Sequence, residues 1–380
     1  MIRASEMRTR QISWSWQGRQ ISLGVDDAGD GPHVLLLPAL SSISTRREMH
    51  PLMRGLAARA HVIAPDWPGF GDQPRPAIAW TPDALSSFLD WFVREQIPTP
   101  HATIAAGHAA SYALHLAARN PGILGQLALL APTWRGPLPT MAGGDRPLFR
   151  GIRRVIGMPV VGPLLYRVNV NPLVVRMMVA GHVYSDPQVL SGELLRDKKQ
   201  VIAAPGARFG SAAFVTGGLD RVHSREAFLE LARCGGKPLL VAYGSETPPK
   251  SRAEMEALAS LSGMQSFVAL QGRLAFYERI SRRSSCCPGD LYIRLMPLSG
   301  RMVTTIFRQA LLSRVRTRNW KGYTPAWGRL SIGAKNLCRF TASQPRRLHL
   351  FECSREPTRT LASTLSLTLA MPRSKRHVCA

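Results

Sequence analysis

A short apolar run that breaks into a glycine turn and then into a helical repeat fixes the middle of this chain. Residues 101–122 read HATIAAGHAASYALHLAARNPG. Thr103 to Ala106 has the composition of a buried strand, and from Tyr112 the apolar side chains return at helical spacing, with Leu114, Leu116 and Ala117. Asn120-Pro121-Gly122 stops the helix. A strand that turns sharply into a helix is one step of a parallel sheet, whose strands can be joined only by crossover connections.

The flanking sequence repeats that step. Ile12 to Trp16 and Gln20 to Val25 surround Gln17-Gly18-Arg19 and predict a hairpin. Val34 to Leu37 and Val62 to Pro65 read as strands, with an amphipathic helix over 46–60 between them. Thr81-Pro82-Asp83 is a helix start, Thr81 as N-cap, and the helix runs to about Gln96. Leu127 to Leu130 is a strand, followed by APTWRGP at 131–137. From 136 to 235 the alternation gives way to helices over 150–162, 164–180 and 189–203. It resumes with a strand at 238–243, a helix over 251–262 and a strand at 267–270. The spacing predicts a mainly parallel, doubly wound α/β sheet in two parts, 11–135 and 236–280, with a helical cap inserted at 136–235.

After residue 279 the pattern stops. Residues 281–380 hold 19 of the chain's 49 Lys and Arg but only 3 of its 24 Asp and Glu, and five of its six cysteines. Such a segment cannot bury enough apolar surface to offset its ordering entropy, and a reading-frame slip would produce so abrupt a change. Its functional reading is a basic arm for nucleic acid or an anionic membrane surface. The charges are scattered and no nucleic-acid module is present, so no nucleic acid partner is expected. The first 280 residues, with Cys234 as their one cysteine, do not read as a disulfide scaffold. No signal peptide and no transmembrane segment is evident, and a cytoplasmic location is expected. There is no phosphate-binding glycine loop and no metal-ligand spacing, so neither cofactor nor metal is expected.

Three features together resemble the α/β-hydrolase superfamily: strand–GHAAS–helix, the loop DWPGFGD at 66–72, and the order of the elements over residues 11–279. PALSSISTRREM and APTWRGPLPTM are similar to a bacterial and plant-type branch of it. The resemblance implies the α/β-hydrolase fold and hydrolysis of a small apolar ester- or amide-type compound by a nucleophile–acid–histidine triad. Carried over, the nucleophile position, third in the elbow, falls on Ala109, the acid on Thr247 and the histidine on Tyr277. A methyl group has no lone pair with which to attack a carbonyl. The oxyanion and pocket positions fall on Ala39, Leu40, Ala110 and Trp134.

Substitutes are weighed beside their plainer roles. His108 is a base, or a packed ring. Ser111 is a displaced nucleophile, or a hydroxyl bonded to a backbone carbonyl. Glu246 is a relocated acid, one place from the expected position, and Tyr277 is a donor on the pocket floor or a filler. Asp66 fixes its loop, and His182 and His223 have no carboxylate partner. Cap residues Val160, Val161, Leu164, Leu165, Tyr166, Val174, Val175, Met177 and Met178 are expected to line an apolar cleft. The sequence therefore predicts a hydrolase-fold protein with a degenerate triad that binds a small molecule or has lost turnover. The alternatives are a hydrolase working through His108, Ser111, Glu246 or Tyr277, and a binder acting through the basic tail.

Overall fold

The computed structural model describes residues 6–97, 99–171, 183–184, 192–235, 240–261, 267–270 and 272–279. The basic tail at 281–380, His182, and Val174, Val175, Met177 and Met178 of the expected cap lie outside the described residues.

Eight strands form one sheet: β1 (Arg8–Trp16), β2 (Arg19–Ala28), β3 (His33–Leu37), β4 (His61–Pro65), β5 (Ala102–Ala106), β6 (Gln126–Leu130), β7 (Leu240–Gly244) and β8 (Phe267–Leu270). Their order is β1-β2-β4-β3-β5-β6-β7-β8. β1 pairs antiparallel with β2, and β2 with β4; every other pair is parallel. The hairpin turns on Gln17 and Gly18, both at positive φ (50° and 72°), the two-residue geometry whose twist matches the strands it joins.

The central strands are apolar on both faces because helices cover both. Side chains alternate along a strand, so Leu35 and Leu37 enter one core while Val34 and Leu36 enter the other. The first core takes Leu85, Phe88, Leu89 and Phe92 of α2 (Pro82–Gln96), with residues of α3 (Ala109–Arg119). The second takes Leu52, Met53 and Leu56 of α1 (His50–Leu56). Between β6 and β7 the described residues form α4 (Pro137–Ala142), α5 (Pro147–Gly157), α6 (Val161–Asn169), α7 (Gly192–Ala203), α8 (Ala207–Val215) and α9 (Arg225–Cys234). α10 (Pro249–Ala259) follows β7.

Thr81 caps α2 as its sequence predicts, accepting the Ala84 N–H at 3.3 Å. Thr81→Ala is expected to cost about 1 kcal/mol, read as a lowered denaturation midpoint with unchanged slope. The helix expected over 46–60 is shorter and broken. Arg46–Met49 is a 3-10 turn, and the α-helix starts only at His50, because Pro51 has no N–H and fits a helix only in its first turn. Arg46 is drawn into a buried ion cluster, 2.9 Å from Asp26 and 2.8 Å from Asp72, with its guanidinium also on Asp66. Asp66 fixes its loop as expected, accepting the Thr45 hydroxyl at 2.9 Å and the Arg46 N–H at 2.7 Å. α8 and α9 were not expected from the sequence pattern, whose last helix before β7 ends at residue 203.

α8 is fastened to the loop after β4. A Cβ on Gly210 would run into the Gly69 carbonyl, so the two backbones touch directly. The Arg75 N–H donates to Pro205 O at 2.9 Å, its guanidinium to Val201 O at 2.8 Å, and the hydroxyls of Ser42 and Ser211 lie 2.5 Å apart.

Candidate functional site

The sharp turn between β5 and α3 falls at Gly107, with φ +54°, and not at Ala109. Ala109 is already the first residue of α3 and is fully buried. In a left-handed backbone the Cβ of an L-residue is crowded, whereas glycine has none, so the chain bends at its glycine, two residues before the position that the resemblance gave to the nucleophile. The Gly107 N–H donates to Leu130 O at 2.8 Å, and Gly107 O accepts the Thr133 N–H at 3.0 Å, which pins the bend to β6 and the residues after it. Beside it, Ala131 also holds a left-handed backbone (φ 44°) without being glycine.

The space over the bend is filled. A Cβ on Gly107 would lie 2.9 Å from the methyl of Ala39. The Ala39 N–H, expected as an oxyanion donor, points to Glu48 Oε1 at 2.5 Å. The same oxygen accepts the Tyr277 hydroxyl at 3.2 Å. Lys198 of α7 lies 3.7 Å from Glu48 Oε2 and 3.3 Å from Glu278 Oε1, while Tyr184 donates to Glu278 Oε2 at 2.8 Å. Three charged side chains from distant stretches thus meet in the interior, each at most 6% exposed.

Two carboxylates share one ammonium, so the cluster carries one negative charge in excess when all are ionised. Burial, with the charge of Glu278 adding to it, pushes the Glu48 carboxyl up to about 7, against the opposing pull of Lys198 and the Ala39 N–H. Burial works against a charged Lys198, but Glu278 and Glu48 outweigh it and hold the ammonium above its usual range. Burial and the neighbouring carboxylates raise the Tyr277 hydroxyl far above the ordinary tyrosine value. It is a poor acid and a good donor.

The cluster closes one side of a cavity of about 100 Å³. Gly107, His108, Ala131 and Thr133 form its wall at the sheet, and Leu40, Ile43 and Phe214 supply apolar surface. The His108 ring is held by Leu219 O, 3.1 Å from Nε2, and lies edge-on to Phe214. A carbonyl only accepts, so Nε2 carries the proton and Nδ1 keeps a lone pair, for which no partner is present among the described residues. Burial lowers the ring's pKa to about 4 despite the bond to Leu219, so His108 is neutral at physiological pH.

The model of the alpha/beta hydrolase family matches residues 34–272. The chain belongs to the alpha/beta hydrolase family. A haloalkane dehalogenase from Bradyrhizobium diazoefficiens is 35% identical over 116 residues, which span 28% of this chain and 36% of that relative's length. Among solved structures, an esterase from Thermogutta terrifontis aligns with TM-score 0.54 at 20% identity over 82% of this chain and 100% of its own. The Cif epoxide hydrolase from Acinetobacter nosocomialis aligns with TM-score 0.54 at 15% identity, over 71% of this chain and 84% of its own. These structural likenesses are likenesses of fold.

In an alpha/beta hydrolase the nucleophile stands on the strained strand-to-helix turn; in this one that turn is a glycine. Of the expected positions, Tyr277, His108, Ala39 and Leu40 line the cavity, whereas Ala109, Ala110, Ser111, Thr247, Glu246 and Trp134 do not. Ser111 donates to His108 O at 2.9 Å, which is its plainer reading. Glu246 is exposed, and Thr247 is buried with its hydroxyl unpartnered. Trp134 packs on Phe228 and donates to Glu254 at 3.3 Å. His223 is exposed. Glu48 and Lys198 escaped the sequence reading altogether. Glu278 directly follows Tyr277 in the chain, but the sequence reading gave it no role. Among the described residues no group of His, Cys, Asp and Glu could hold a metal, and no helix is long and apolar enough to cross a membrane.

Proposed function

We propose that this member of the family binds a small molecule in the cavity beside Gly107 without attacking it covalently. The observation that carries the reading is the Ala39 N–H on Glu48 Oε1. Acyl transfer needs a donor aimed at the oxygen where negative charge develops; here that donor is already held by a carboxylate. Ester hydrolysis, dehalogenation and epoxide opening, the reactions of the named relatives, all need a nucleophile brought to carbon, and Gly107 has no side chain. The neighbouring groups are no better placed: both oxygens of Glu278 and Oε1 of Glu48 are engaged within the cluster. The excess negative charge and the free lone pair of His108 favour a ligand that donates hydrogen bonds, such as a short amine or alcohol. Helices between residues 136 and 235 serve as its cap, with Lys198 their contact to the floor of the cavity.

A fluorophosphonate probe tests the reading. No covalent label is expected on the folded full chain; labelling that disappears in Ser111→Ala would overturn it. Propylammonium is expected to raise Tm, and propionate is not; the reverse order would remove the ligand class.

A further inference from the structure

All the large apolar side chains that are exposed among the described residues lie between Met141 and Val168. They are Met141, Leu148, Met158, Val160, Val161, Leu164, Leu165 and Val168, with Val160 82% exposed, Leu148 67% and Leu164 65%. The sequence places the α6 members in a cleft, and the structure turns them the other way. Val161, Leu164, Leu165 and Val168 recur at the spacing of one helical face. That face is outward because the opposite side is anchored: Tyr166 and Gly162 are buried, and the Tyr166 hydroxyl donates to Ile202 O at 3.2 Å. α6 therefore shows its greasy side to the outside. Single exposed apolar residues need no explanation, but a confined cluster marks a surface that meets something.

The charges around the cluster say what it meets. Arg146, Arg150, Arg154 and Arg167 are exposed across the same helices, and Asp145 is the single acidic residue between 137 and 171. The arginines come from both helices that carry the exposed apolar residues, Arg150 and Arg154 from α5 and Arg167 from α6; long basic side chains reach phosphate headgroups while apolar tips enter the acyl boundary. A protein partner for so basic a surface would itself need acidic groups interleaved with apolar ones, whereas an anionic bilayer supplies both at every point. We infer that the face formed by α5 and α6 docks on a bilayer surface containing anionic phospholipid. The inference stands apart from the ligand proposed for the cavity.

The full chain is to be tested with vesicles of phosphatidylcholine, with and without phosphatidylserine, at 0.1 M salt. Leu164→Asp/Leu165→Asp is expected to weaken partitioning on the mixed vesicles by at least tenfold. Arg150→Gln/Arg154→Gln should weaken it by about twenty-five-fold, since each basic residue at such a surface is worth about fivefold. The basic tail can also draw the chain to these vesicles, so a local readout is needed. Leu164→Trp, compared with the parent chain, should gain fluorescence that brominated lipid quenches. Three results overturn the inference: vesicle binding with no quenching at position 164, an aspartate pair that instead converts a dimer to a monomer, or an aspartate pair that unfolds the chain. The last two would mean that a second copy, or another part of this chain, covers the face.

Discussion

Lys198→Met is expected to destabilise the fold by about 3–5 kcal/mol at pH 8, because it leaves Glu48 and Glu278 buried with no cation between them. Methionine keeps most of the volume, so the loss measures charge and not packing. The pH dependence separates this cause from others. The folded Glu48 carboxyl is raised from an ordinary 4.5 to about 7, so between those values the folded state binds more protons than the unfolded one. Stability contributed by this group is therefore present at low pH and is lost as pH rises through that window. Removing Lys198 takes away the charge that opposed the rise, so the carboxyl climbs further and protonation relieves more of the damage. Urea unfolding should show a small gap between variant and parent at pH 5 and a wide one at pH 8. A gap below about 1 kcal/mol at pH 8, or one of equal size at both, would show that the three side chains do not act as one charged cluster.

Gly107→Ser restores a hydroxyl at the turn and is expected to harm the protein without creating an esterase. The new Cβ would lie 2.9 Å from the Ala39 methyl at a φ of +54°. A left-handed serine costs about 1 kcal/mol and the crowding another 1–3, so a loss of about 2–4 kcal/mol is expected. Ala39→Gly removes the obstructing methyl, and the double variant should recover about half of the loss. Neither protein should hydrolyse p-nitrophenyl acetate above the parent rate, because Glu48 still occupies the Ala39 N–H. Adding Glu48→Ala removes the acceptor that holds the Ala39 N–H and gives the triple variant its chance. Activity in the single variant would mean that the carboxylate does not obstruct the oxyanion position.

What the sequence disclosed and what it hid follow from the range of each signal. The hairpin, the Thr81 cap and the buried strands are local patterns, and each element stands where its residues put it. The resemblance put the nucleophile position on Ala109, whereas the sharp backbone angle is at Gly107; Ala105, Ala106, Ala109 and Ala110 suit strand and helix equally, and only that angle tells them apart. Pro51 was the readable sign that the first helix would start late. The Glu48–Lys198–Glu278 cluster was illegible for a different reason: its members are 150 and 80 positions apart, and no short-range periodicity connects them. Val161 to Val168 shows a third limit. A 3.6-residue repeat says that a helix has an apolar face, but not whether that face turns toward the protein or away from it.

The backbone contact between Gly210 and Gly69 bears on how anything reaches the cavity. Two main chains that touch without side chains between them, and that share the Arg75 bonds, have no slack for a hinge. Traffic past α8 would then depend on small breathing motions of side chains such as Phe214, not on a door that swings. Entry and escape should accordingly be slow, and a tight grip on a ligand could arise from a long stay even where the contacts themselves are modest.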